Sequence, residues 1–170
     1  MNVKILTIIF VSIIFSSAFG QIEPERTGIA LGYMTTPNSI VYRSTWSENS
    51  AIDVWVDIPE ISAGDFGGFR LGAGSGYAIF LDRQKYFCFM VRPQLSFAYI
   101  SETMNYFEIG AGVAGSAVAY LDSLGVPNTD VYAGISLGSV ARFGDGTKTF
   151  DFILTKDRPF GILIGVMRYF

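Results

Sequence analysis

The sequence predicts an all-β chain, an eight-stranded antiparallel up-and-down transmembrane β-barrel. Three observations predict it. Bulky apolar residues alternate with small or charged ones, over segments longer than the roughly five or six residues of an ordinary strand. Eight such segments follow one another, separated by turn residues. The chain is 50% hydrophobic and only 16% charged, with mean hydropathy +0.38, whereas a soluble domain carries about a quarter charged residues.

Residues 1–20 read as a secretory signal: a short start ending at Lys4, an apolar run over 5–15, then Ser16, Ser17, Ala18 and Gly20 before Gln21, with cleavage expected after Gly20. The run is shorter than the ~20 residues of a membrane helix. An uncleaved anchor helix is the alternative. Cleavage removes one charge, Lys4, and leaves 11 basic and 15 acidic residues in the expected barrel domain, 21–170. Cys88 is the single cysteine, so no intramolecular disulfide can form.

Strands are expected at 27–34, 39–46, 51–58, 69–81, 86–100, 106–120, 131–143 and 159–170. In 86–100, Phe87, Phe89, Val91, Leu95, Phe97 and Tyr99 oppose Cys88, Met90, Arg92, Gln94, Ser96 and Ala98. In 69–81, Phe69, Leu71, Tyr77 and Ile79 oppose Arg70, Gly72, Gly74 and Gly76. The segments 106–120 and 131–143 repeat the split, with Gly110, Gly112, Gly134 and Gly138 on the small face. Turn chemistry separates the strands at Thr36-Pro37-Asn38, Ser47-Glu48-Asn49-Ser50, Gly67-Gly68, Asp82-Arg83-Gln84-Lys85 and Gly144-Asp145-Gly146. Pro93 falls inside a strand, where it removes a ladder hydrogen bond, so a bulge or bend is expected there. The connection 121–130 is long for a turn.

An even-stranded meander can close and leave no unpaired edge, the condition for a sheet to survive in lipid. Eight strands enclose a space only wide enough for side chains. The bulky rows therefore belong outside. The glycine rows then make room in the lumen for Arg43, Asp53, Asp57, Arg70, Arg92, Glu108 and Arg142. Because an unpaired buried charge costs several kcal/mol, these seven are expected to form one salt-bridge network plugging the pore. Aromatic residues near strand ends, Tyr33, Tyr42, Trp46, Tyr77, Phe80, Tyr86, Tyr99, Tyr106, Tyr120, Tyr132, Phe160, Tyr169 and Phe170, fit interfacial girdles. Ordinary β-propensity also enriches aromatics and is the alternative.

The chain contains no histidine, which excludes Ser-His-Asp triads, Cys-His pairs and His-based metal sites. Asp53 and Asp57 lie two pleats apart, about 13 Å, too far for a catalytic carboxylate pair. The expectation is no enzyme, no cofactor and no metal. A net charge of −3 without a basic patch argues against nucleic acid. Residues 110–115 spell GxGxxG, with Asp130 further on, but a dinucleotide fold needs helices, and no flanking segment has a 3.6-residue period.

The C-terminal run Gly161-Ile162-Leu163-Ile164-Gly165-Val166-Met167-Arg168-Tyr169-Phe170, together with the leader and the repeated long hairpins, resembles the small eight-stranded outer-membrane barrels, the OmpX-like and OmpA-membrane-domain-like family. Residues 42–54 also look like that family's first periplasmic hairpin. In the family the last strand ends in an aromatic, preceded by alternate apolar residues, and is the recognition signal for the barrel-assembly machinery. Phe170, Val166, Ile164 and Ile162 match; Arg168 stands where an apolar residue or Tyr is usual. The resemblance implies a Gram-negative-type outer membrane and periplasmic termini. Turns 47–50, 82–85 and 121–130 would then be periplasmic, and loops 35–38, 59–68, 101–105 and 144–158 extracellular. Phe150, Phe152, Ile153 and Leu154 in the last loop suggest a hairpin extending the wall, or a partner contact.

The function expected from this reading is a non-enzymatic outer-membrane protein with a plugged lumen. It would anchor extracellular loops for envelope structure, adhesion or docking to a surface or secretion complex. Its expected partners are outer-membrane lipid, the assembly machinery, and other envelope or surface proteins through the loops. The alternatives are a narrow channel and an exported soluble barrel binding a small apolar ligand.

Overall fold

The computed structural model describes residues 26–35, 38–62, 68–101, 105–144, 147–153 and 161–170, with residue 62 and 147–153 described by backbone alone. The leader expected at 1–20, Phe160, and the side chains of Phe150, Phe152, Ile153 and Leu154 lie outside the described residues. Ten strands are described: β1 (Gly28–Thr35), β2 (Asn38–Ser47), β3 (Ser50–Asp57), β4 (Glu60–Ser62), β5 (Gly68–Leu81), β6 (Phe87–Ser101), β7 (Asn105–Tyr120), β8 (Thr129–Gly144), β9 (Thr147–Ile153) and β10 (Gly161–Tyr169).

The strands pair antiparallel in the order β10-β1-β2-β3-β5-β6-β7-β8, and β8 pairs back onto β10, which closes an eight-stranded barrel. The closing seam runs from Ala30 opposite Tyr169 to Met34 opposite Gly165. Closure leaves the barrel strands without a free edge, as the alternation requires. Both described chain ends and the connections after β2, β5 and β7 lie at one end of the barrel, here the terminal end. The connections after β1, β4, β6 and β8 lie at the other, the loop end.

The two extra strands lengthen the wall at the loop end. β4 continues the line of β3 along β5, offset by one residue across Ile58 and Pro59. Pro59 has no amide to give the ladder, which accounts for the break. Along β8, residues Thr129 to Ser136 pair with β10, and Gly138 to Gly144 pair with β9. The hairpin of β8 and β9 is the wall extension that the alternation over 150–154 suggested.

Pro93 corrects the expected bulge. Pairing with β7 runs through Pro93 opposite Val113 without a shift, and the β5 ladder skips from Gly76–Gln94 to Ile79–Val91 in unchanged register. The missing amide interrupts one ladder and leaves the register unshifted. The GxGxxG run lies in the middle of β7, in keeping with the strand reading preferred over a dinucleotide site. The long 121–130 connection is ordered by a short 3₁₀ turn, Leu121–Leu124, capped by Gly125 at φ 81°. Asp122 Oδ1 accepts a hydrogen bond from the Asn128 amide at 2.9 Å.

Candidate functional site in the barrel lumen

Burial alternates along β1, β2, β3 and β10 and over the terminal-end halves of β5, β6 and β7, and the buried row faces the axis. The inward row holds the charged residues that the sequence singled out. Leu95, Ile109, Ile40 and Val113 on the outward row are 61%, 52%, 59% and 49% exposed, so large apolar side chains stand open on the outside of the barrel.

The seven predicted lumen residues fall into two clusters rather than one network. At mid-height, Arg43 and Asp53 stand directly opposite each other on β2 and β3. Arg43 Nε and Nη2 donate to the two Asp53 oxygens at 2.6 and 2.8 Å, a bidentate fork. Arg92 Nη1 reaches Asp53 Oδ2 at 2.9 Å. All three are almost completely buried. Two guanidinium groups thus share one carboxylate, and their remaining donors turn to uncharged acceptors: Arg43 to Met90 Sδ and Tyr169 Oη, Arg92 to Met34 Sδ and Gln94 Oε1. Arg92 also lies 5.1 Å from the Trp55 ring centroid, and Arg43 lies 5.2 Å from that of Phe80. These contacts solvate a buried cation with ring faces.

The second cluster occupies the loop-end mouth. Arg142 Nε donates to Glu108 Oε1 at 2.7 Å across the β7–β8 ladder. Arg70 Nη2 lies 3.9 Å from Glu108 and 4.0 Å from Asp57, looser contacts in a half-exposed setting. Asp57 is held by the Ser39 hydroxyl at 2.8 Å. A cavity of about 540 Å³ opens here, lined by Glu60, Arg70, Tyr106, Glu108 and Arg142 among others.

A third cluster was not foreseen. At the terminal end Arg26 Nε donates to Asp130 at 2.9 Å, and its Nη2 pairs with Asp122. The Arg26 guanidinium sits 5.3 Å from the ring centroids of both Tyr120 and Tyr169. Burial pushes the Asp122 carboxyl up, but the Arg26 hydrogen bond and the Asn128 amide outweigh it and hold the group below its ordinary 3.8. Arg26 precedes the first strand and therefore carries no alternation signal. Asp130 lies on the inward parity of β8 and was legible by counting.

The lumen holds more bulk than the sequence reading gave it. Of the residues assigned to girdles, Phe80, Tyr120, Tyr132 and Tyr169 are buried inside, and Tyr106 lines the mouth. Trp55, Met34, Met90 and Met167 join them. Three of these large side chains are accommodated by a glycine opposite: Trp55 by Gly74, Tyr132 by Gly165, Met167 by Gly32. A Cβ on any of the three glycines would collide with that neighbour. Tyr33 and Tyr99 bond Asn38 and Asn105 at the loop end, and Trp46 bonds Ser44 near the terminal end.

Ile162, Ile164, Val166 and Phe170 form one exposed row on the outside of β10 and beyond its end. Arg168 shares that row. Among the described residues no group of three or more potential metal ligands occurs, and no helix is long and apolar enough to cross a membrane, which says nothing of crossing by strands.

These features define a closed antiparallel eight-stranded barrel, apolar outside and filled inside by ion pairs, aromatic rings and methionines. Comparison with protein-family models, curated proteins and solved structures gives no match.

Proposed function

We propose that this chain is a non-enzymatic integral outer-membrane barrel of the small eight-stranded kind, with a plugged lumen and an uneven loop-end wall that presents its loops to the exterior. One observation carries the reading: apolar side chains cover the outward row of the barrel strands, while the charged side chains described on those strands, Arg168 at the barrel's edge excepted, lie inside, paired. A barrel in water needs the opposite arrangement; a barrel in lipid needs this one. The mid-height cluster argues against a channel. Arg43, Asp53, Arg92, Trp55 and Tyr132 are large, fully buried side chains inside the barrel, the first four in mutual contact, a filling that favours a plug over an open bore. The mouth cavity is lined by charged groups, which suits neither an apolar ligand nor a carrier of one.

On this reading the loops do the work, and the barrel holds them at the surface. β5 to β8 run 14 to 16 residues against 8 to 10 for β1 to β3, so the wall stands taller on one side. Envelope structure, adhesion and docking to a surface or secretion complex are the roles such a platform serves. The chain, refolded into phosphatidylcholine vesicles, should become a protease-resistant barrel that passes no sustained current across a planar bilayer. A stable monomer in detergent-free buffer would overturn the membrane reading, and steady ohmic conductance would overturn the plug.

A further inference from the structure

Among the described side chains of the eight barrel strands, Arg168 is the one charged group at an outward position. Its neighbours on that face are Leu31, directly opposite on β1 and 48% exposed, and Val166 and Phe170 along its own row. A cation on a lipid-facing row is strongly unfavourable at mid-bilayer and nearly neutral at the headgroup level, where a long side chain can turn its charge toward water.

The side chain is turned that way. Arg168 Nη1 donates to Pro127 O at 2.8 Å and Thr129 Oγ1 at 3.0 Å, groups of the terminal-end connection and the first residue of β8. These two bonds fix the plane of the guanidinium at the barrel's edge. They use one nitrogen. Nε and Nη2 have no acceptor among the described residues, and no carboxylate pairs with the group, unlike Arg26, Arg43, Arg70, Arg92 and Arg142. A rigid fork of donors with an unanswered positive charge, beside exposed apolar side chains, matches an anion attached to acyl chains. Guanidinium recognises phosphate oxygens through two parallel N–H donors.

We propose that Arg168 is a phospholipid site. Its free Nε and Nη2 donors hold the headgroup phosphate, and the chains lie along Leu31 and Val166. The proposal rests on the membrane reading above.

The test uses the full chain folded in a nonionic detergent, with didecanoylphosphatidylglycerol and the phosphate-free didecanoylglycerol as probes, read by native mass spectrometry. The native chain should retain one phosphatidylglycerol and no didecanoylglycerol. Arg168→Gln should bind the phospholipid about tenfold more weakly, the size of one charge-assisted hydrogen bond, and Arg168→Lys should recover part of it. Excess inorganic phosphate should not displace the lipid. Displacement by it would mean a free-anion site and overturn the lipid assignment. Equal retention by the native chain and Arg168→Gln, or of both probes, would also overturn it. A chain that folds without amphiphile and takes up neither probe would remove the membrane reading itself.

Discussion

Asp53→Asn is expected to cost about 3–5 kcal/mol of folding free energy, the cost of breaking a buried ion pair by removing one partner. Asp53 is the sole carboxylate of the mid-height cluster, fully buried, and bonded to both Arg43 and Arg92. Its amide counterpart keeps the shape and leaves two buried cations facing each other without an anion. Arg92→Met should cost less than Asp53→Asn, because the Arg43–Asp53 fork survives it. Glu108→Gln at the mouth removes a carboxylate of similar connectivity, but its partners Arg70 and Arg142 are 38% and 47% exposed, so water screens the loss to roughly 0–1 kcal/mol. Urea unfolding of vesicle-inserted protein, followed by tryptophan emission, reads all three. If Asp53→Asn and Glu108→Gln shift the midpoint equally, the lumen is wet and the plug is wrong.

The second large effect belongs to the outside. Leu95→Arg places a cation in the middle of β6, on the outward row, at a position 61% exposed. In lipid the change should destabilise the barrel by about 2–4 kcal/mol, the cost of Arg near the bilayer midplane. In water the same substitution at an exposed site would fall within about 0.5 kcal/mol. On the membrane reading, Arg168, at the barrel's edge, stands where that cost should have faded. The same unfolding assay measures it, and a neutral Leu95→Arg would mean that this row does not face acyl chains.

The fold was legible because one physical constraint repeats. Phe87, Phe89 and Phe97 alternate with Cys88, Met90 and Ala98 so regularly that strand, face and register follow from counting. The loop-end extensions were half legible, since Glu60–Ser62 sits beyond a proline that hides its continuity with β3. The lumen was read by residue type, and there the reading fell short. Tyr132, Tyr169 and Phe80 have inward parity, yet their positions near strand ends suggested girdles. What admits Tyr132 is a glycine on the adjacent strand, Gly165, as Gly74 is for Trp55, whereas Tyr169 and Phe80 lie against the Arg26 and Arg43 guanidinium groups. That exchange of volume crosses a ladder, and no single strand displays it. The clustering of seven charges into two groups also depends on strand stagger, which turns alone do not set. Arg26 lies outside any alternating segment, so only the closed barrel reveals that it caps the terminal end.

The most direct measurement uses the two tryptophans, one on each face: Trp46 is 66% exposed on the outside and Trp55 is 1% exposed in the lumen. Trp55→Phe and Trp46→Phe each leave one reporter, and vesicles of acyl-brominated phosphatidylcholine quench only an indole near the chains. The account predicts strong quenching of Trp46 emission and nearly none of Trp55. Quenching of Trp55 above that of Trp46, or a folded chain in which neither is quenched, would contradict it.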